Sequence, residues 1–113
     1  MKPLDLALQY MDLFFNGDDV EALRPLLAGD FRFEGPFYTY DSADAYIAAL
    51  KADPPEDFAY ELMHAFENES SACLVFEFTK PGIRIPMIQL FEIKENKITK
   101  VLLIFDTGVF TQM

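Results

Sequence analysis

Polar residues recur along the first segment at Asp5, Gln9, Asp12 and Asn16, the spacing of one wetted stripe on a helix running from Pro3 to Asn16. Leu4, Ala7, Leu8, Met11, Phe14 and Phe15 fill a wide apolar arc, and Tyr10 falls inside that arc rather than on the stripe. Gly17 ends the helix as a C-cap. Asp18 or Asp19 caps a second short helix carrying Val20, Leu23, Leu26 and Leu27, tightened or kinked at Pro25 and closed by Gly29. Asp30 then opens a strand, Phe31 to Glu34, which Gly35-Pro36 breaks, and Phe37-Tyr38-Thr39-Tyr40 continues as irregular or extended chain. Asp41 or Ser42 caps a third helix with Ala43, Tyr46, Ile47 and Leu50 on one face, and Pro54-Pro55 stops any helical continuation.

From there the period changes. Residues 58–68, 71–80, 85–94 and 98–106 are strand-length segments, separated by turn signals at Glu69-Ser70, Pro81-Gly82 and Glu95-Asn96. The economical reading is an antiparallel meander. Three helices with one strand among them, then four strands, make an α+β domain with helices on one face of a bent sheet. No repeat, low-complexity tract or linker divides residues 1–113, so they form one domain.

Strand side chains alternate, and both alternating sets are largely apolar in the last three strands. A sheet with one wet face would show a polar set instead. The aromatic-rich set suits a concave side beneath the helices. The aliphatic set, Val75, Ile88, Leu90, Leu102 and Ile104, suits a flatter outer surface, and a homodimer through that surface is expected.

Composition narrows the partners. The chain has 113 residues, 51% hydrophobic and 15% aromatic, with twelve Phe and no Trp, enough to build one core unaided. Nine Lys+Arg against nineteen Asp+Glu give a net charge of -10, which repels phosphate backbones and anionic membranes alike, so neither nucleic acid nor membrane is an expected partner. Lone Cys73 sits in an apolar run as an inert thiol and has no disulfide partner. The N-terminus meets Asp5 at once and lacks a signal peptide's apolar run, and no stretch approaches the roughly 18 apolar residues that span a bilayer. A cytoplasmic location is expected.

Several strings in order carry a family resemblance: Gln9-Tyr10-Met11 with Phe15-Asn16-Gly17-Asp18, Phe31-Arg32-Phe33-Glu34-Gly35-Pro36, Met87-Ile88-Gln89-Leu90-Phe91-Glu92-Ile93, and Ile98-Thr99-Lys100-Val101 leading to Phe105-Asp106. Across nearly its whole length the chain resembles the ketosteroid isomerase and SnoaL-like polyketide cyclase superfamily. The resemblance implies the cone of nuclear transport factor 2, a cystatin-like curved and mostly antiparallel sheet with three N-terminal-half helices on its concave face. The family's isomerases pair a helix-one tyrosine with a protonated acid on the penultimate strand as an oxyanion hole, and use an aspartate base after the first strand. Those positions resemble Tyr10, Gln89 and Gly35 here, and a glycine cannot accept a proton. The last-strand carboxylate of the family's epoxide hydrolases and cyclases falls on Leu103, whereas alternation turns Asp106 away with Leu102 and Ile104.

The candidate chemistry rests on these placements. Tyr10 either donates its phenol proton to a ligand carbonyl or is a core tyrosine bonded to backbone. Gln89 interrupts an apolar strand face and can orient a ligand, but it cannot transfer a proton at neutral pH. His64, the only histidine, groups with Tyr60, Leu62 and Phe66 by alternation and is the available base if that face lines a pocket. Glu34 neighbours the family's base position yet alternates outward with Arg32. The acidic stretch from Asp53 to Asp57 forms a loop over or beside the pocket mouth. No residues have metal-ligand spacing, and no cofactor is expected.

The expected site is thus an apolar wall of Phe14, Phe33, Phe76, Phe78, Met87, Phe91, Leu103 and Phe105, with Tyr10, Gln89 and His64 as polar contacts. It suits a small, mainly apolar, carbonyl-bearing molecule, held or turned over through an enolate by an isomerase or cyclase. The alternative is a non-enzymatic dimerisation or interaction domain whose cone is filled by its own phenylalanines.

Overall fold

A proline and a borrowed carboxylate start the first helix in the computed structural model, which describes residues 1–111. Helix α1 (Pro3–Asn16) has Pro3 in its first turn and no side-chain cap from Lys2. Instead Glu67, distant in sequence, accepts the Leu4 amide proton at 2.9 Å, satisfying one of the orphan donors of the helix start. Gly17 does end the helix, but in an extended conformation with φ of -83°. Its need is for space, since a Cβ there would collide with the Leu13 carbonyl oxygen.

The second helix is a 3-10 helix, Val20–Leu26, with Asp19 as its cap. Pro25 removes a donor and crowds the preceding turn, and in seven residues no α-helical ladder establishes itself. The chain passes straight into β1 (Leu27–Glu34), three residues earlier than Asp30, so Gly29 lies within the strand where its pairing slips rather than closing a helix. The aromatic run contributes a two-residue edge strand, β2 (Thr39–Tyr40). Ser42, not Asp41, caps α2 (Ala43–Ala52) by accepting the Ala45 amide proton at 3.0 Å. Arg24 bridges Glu21 and Asp44, and Lys51 also meets Glu21, tying the 3-10 helix to α2. Hydrogen bonds from Arg24 and Lys51 hold the Glu21 carboxyl down to about 2.

Strands β3 (Ala59–Glu67), β4 (Ser71–Lys80), β5 (Ile83–Lys94) and β6 (Lys97–Ile104) form the meander. Its turns fall where the sequence places them. Asn68 accepts from the Ser70 and Ser71 amides, Gly82 has φ of 83° after Pro81, and Glu95 and Asn96 both take positive φ. The six strands run β2-β1-β6-β5-β4-β3 in one sheet, antiparallel except for the parallel β1–β6 pair. A four-residue helix, α3 (Gly108–Thr111), succeeds the last strand and was not expected from the sequence.

Both alternating sets keep the faces that the pattern assigns in β4, β5 and β6. Leu74, Phe76, Phe78, Met87, Phe91 and Val101 are buried inward, against α1 and α2, while Ile88 and Ile104 pair on the outer face at 39% and 50% exposure. Strand β3 departs from it. Tyr60 and Leu62 stand opposite inward Phe78 and Phe76, but the register slips at Met63, after which His64 faces Val75 and Phe66 faces Cys73. Directly opposed residues share a side of the sheet, so this bulge turns His64 and Phe66 outward. No helix among the described residues is long and apolar enough to cross a membrane.

Candidate functional site

Between α1, α2 and the inner sheet face lies a cavity of about 570 Å³. Its walls are rings and aliphatic chains: Phe14 from α1, Phe33 from β1, Phe76 and Phe78 from β4, Met87 from β5 and Leu103 from β6, with Phe105 just beyond the last strand. The wide apolar arc of α1 explains why the helix both roofs the cavity and packs against the sheet. Phe15, on the same arc, meets Tyr60 at 4.7 Å between ring centroids.

The polar groups converge at the buried end. Tyr10 is 1% exposed, and its hydroxyl shares a short hydrogen bond with the hydroxyl of Tyr46, projected from α2. Tyr46 is fixed by Phe33 stacked on it at 5.1 Å and by Phe31 tilted against it at 5.2 Å. Phe91 meets the Tyr10 ring edge-on at 5.2 Å. Gln89 is 5% exposed and stands beside the Tyr10 phenol. Among the described residues no buried side-chain nitrogen or oxygen is without a partner, and Gln89 opens on the cavity.

Burial pushes the Tyr10 phenol well above the ordinary tyrosine value of 10.0, against the opposing effect of hydrogen bonds from Tyr46 and Gln89. Tyr46 is raised too, by burial and then by its neighbours Tyr10 and Tyr40. Both therefore keep their protons at neutral pH and serve as donors. Either hydroxyl can donate in the pair, and the arrangement in which Tyr46 donates leaves the Tyr10 proton for an acceptor in the cavity.

The exposed part of the lining, Pro36, Phe37, Tyr38, Ala52 and Asp53, marks the mouth. Phe110 of α3 closes one side, packing on Phe37 at 6.0 Å and on Phe105 at 5.1 Å. Lys80, at the end of β4, is the cation of the lining, and Asp53, at the end of α2, is its carboxylate.

Two expected members lie elsewhere. Phe91 is fully buried behind Tyr10 and supports the phenol rather than facing the cavity. His64 is corrected more sharply, because the bulge leaves it exposed on the outer face, its ring stacked on Phe66 at 6.3 Å. Gly35 lines the cavity, so the position that resembles the family's base is present there without a carboxylate. Glu34 points away, and a hydrogen bond from Arg32, then the charge of Lys100, holds its carboxyl low. Tyr46, Tyr40, Asp53 and Lys80 enter the lining without having been singled out as site residues. The signal for Tyr46 is a phenol on the buried face of a helix, which demands a partner.

Residues 7–101 match the family described as the SnoaL-like domain. No curated protein matches the chain with significance. Among solved structures, an NTF2-like protein of unknown function from Cytophaga hutchinsonii superposes with a TM-score of 0.84 at 22% identity, over 98% of this chain and 96% of that one. A candidate SnoaL-like polyketide cyclase from Shewanella putrefaciens gives 0.80 at 17% identity, covering 95% and 81%. An LEH-like epoxide hydrolase of M. tuberculosis gives 0.79 at 13% identity, covering 97% and 86%. At such identities the likeness carries the fold alone.

Proposed function

This chain belongs to the SnoaL-like domain family, and from that premise we propose that it binds a small, mainly apolar, carbonyl-bearing molecule in its cone. The observation that carries the reading is the Tyr10–Tyr46 phenol pair, protonated and buried beside Gln89 on the wall of a cavity of about 570 Å³. That volume falls in the range typical of small-molecule pockets, and an aromatic lining with a few convergent polar groups is their usual composition. A carbonyl oxygen placed against Tyr10 would accept hydrogen bonds from its hydroxyl and from the Gln89 amide. The same donors would hold an enolate oxygen, which makes isomerisation or cyclisation the matching reaction class. Asp53, the carboxylate of the described lining, stands at the mouth and His64 faces outward, so these residues support holding a ligand more directly than proton transfer.

The rival reading, a cone filled by its own phenylalanines, requires side-chain carbon where the cavity lies. Dimerisation is compatible with either reading. We assign a second copy of the chain to the outer sheet face, because its aliphatic centre is rimmed by both signs of charge, Arg84 with Glu77 and Lys100 with Glu92 and Glu34, and so complements itself.

Calorimetric titration with 2-acetylnaphthalene and with 2-ethylnaphthalene, which has the same shape without the oxygen, tests the ligand reading. The wild-type chain should prefer the ketone about tenfold, the worth of one good hydrogen bond. Tyr10→Phe combined with Tyr46→Phe should shrink the preference to what the Gln89 amide alone supports and leave the hydrocarbon's affinity in place. Equal affinity for both probes in the wild-type chain, or binding of neither, overturns the reading.

A further inference from the structure

Resting on the cavity as a ligand site, we infer that the ligand is an acid: its apolar body occupies the cone and a single carboxylate ends at the mouth against the ammonium of Lys80.

Lys80 is the cation of the lining, half-buried at the end of β4. Its Nζ lies 5.4 Å from the centre of the Phe110 ring and 6.0 Å from that of Phe58. Two rings thus hold the ammonium at the lip and strip part of its water, which strengthens any charge it meets. Among the described residues no carboxylate comes within ion-pair distance of it; Arg24, Arg32, Lys51, Arg84 and Lys100 have acidic partners, and Lys2, Lys94 and Lys97, which like Lys80 have none, do not line this cavity. What sets Lys80 apart from the other basic residues without an ion pair is its place on the cavity wall between two rings. Ring faces attract the charge but accept its N–H bonds only weakly, so its donors are left for an oxygen anion.

The charge of that anion is set by its surroundings. Among the described residues Lys80 and Asp53 are the two formally charged ones of the lining, and they offer the mouth one positive charge with no second basic group among them. A phosphate dianion ordinarily recruits several cations or a helix start, while one ammonium suffices for a monoanionic carboxylate. Asp53 is exposed and forms no ion pair with Lys80, and water screens its repulsion of a bound acid.

The test compares 4-(2-naphthyl)butanoic acid with its methyl ester by calorimetric titration at neutral pH, in the wild-type chain, Lys80→Met and Lys80→Arg. The wild-type chain should bind the acid at least about tenfold more tightly than the ester, Lys80→Met should abolish that preference while holding the ester within about twofold, and Lys80→Arg should keep it. Ester binding with no preference for the acid, or a preference that survives Lys80→Met, overturns the inference and leaves the cavity reading standing. Binding of neither compound overturns both.

Discussion

The two faces of one sheet divide the molecule. Inward, Phe76, Phe91 and Val101 are essentially inaccessible and lie under two helices; outward, residues of the same strands, Ile88 and Ile104, are 39% and 50% exposed. Hydropathy alone does not separate the faces, since both carry apolar side chains in three strands. What separates them is shape: rings inside, which leave a hollow when helices bridge a curved sheet, and short branched chains outside, which make a flat surface. An apolar strand position therefore does not by itself signal burial in this chain, and side-chain shape tells the ring-lined inner face from the exposed aliphatic outer one.

The largest expected consequence lies on the inner face. Phe91→Ala removes a ring on which Tyr10 rests and should cost about 3–5 kcal/mol in urea unfolding, while Ile104→Ala, compared in the dissociated single chain, should cost no more than about 1 kcal/mol. Comparable losses at the two positions would dissolve the contrast.

Next comes association. The wild-type chain should sediment at twice 12.9 kDa at micromolar concentration, and Ile88→Asp with Ile104→Asp, which places two charges directly opposite each other at the centre of the outer face, should return it to 12.9 kDa with its helical signal intact. A wild-type chain that sediments at 12.9 kDa would show the outer face to be bare.

The smallest effect is alkaline. Burial raises the phenols of Tyr10 and Tyr46 above 10.0, so the folded chain keeps protons that the unfolded chain releases. Their contribution is complete below about pH 10 and declines above it. Melting temperature tracked from about pH 8 to about pH 11 should fall more steeply for the wild-type chain than for the Tyr10→Phe, Tyr46→Phe variant. Parallel curves would mean that the phenols are not held protonated by the fold.

Local chemistry accounts for what the sequence makes legible. Gly82 and Asn96 declare their turns because the required backbone angles suit their residue types, and unbroken alternation assigns faces in β4, β5 and β6. The cavity-facing positions of Tyr10, Gln89 and seven of the apolar wall residues come from the same periodicities. Met63 carries no mark of a bulge, so alternation continued through it puts His64 on the wrong side. The parallel pairing of β1 with β6, and the meeting of Tyr46 with Tyr10 across 36 residues, depend on distant segments and have no local signature. Lys80 and Asp53 sit at the ends of elements, where periodicity stops informing, and only the closed fold brings them to one opening.

The slip at Met63 also bears on solubility. Strand β3 is an edge of the sheet and displays Leu62, Met63 and Phe66 at 40%, 51% and 60% exposure, a sticky border with free backbone groups. A straight border of that kind templates fibril growth, whereas an extra residue bends the ladder and interrupts the run of groups that an incoming strand would need. The irregularity that misdirects the histidine thereby guards the chain against polymerising along its own edge.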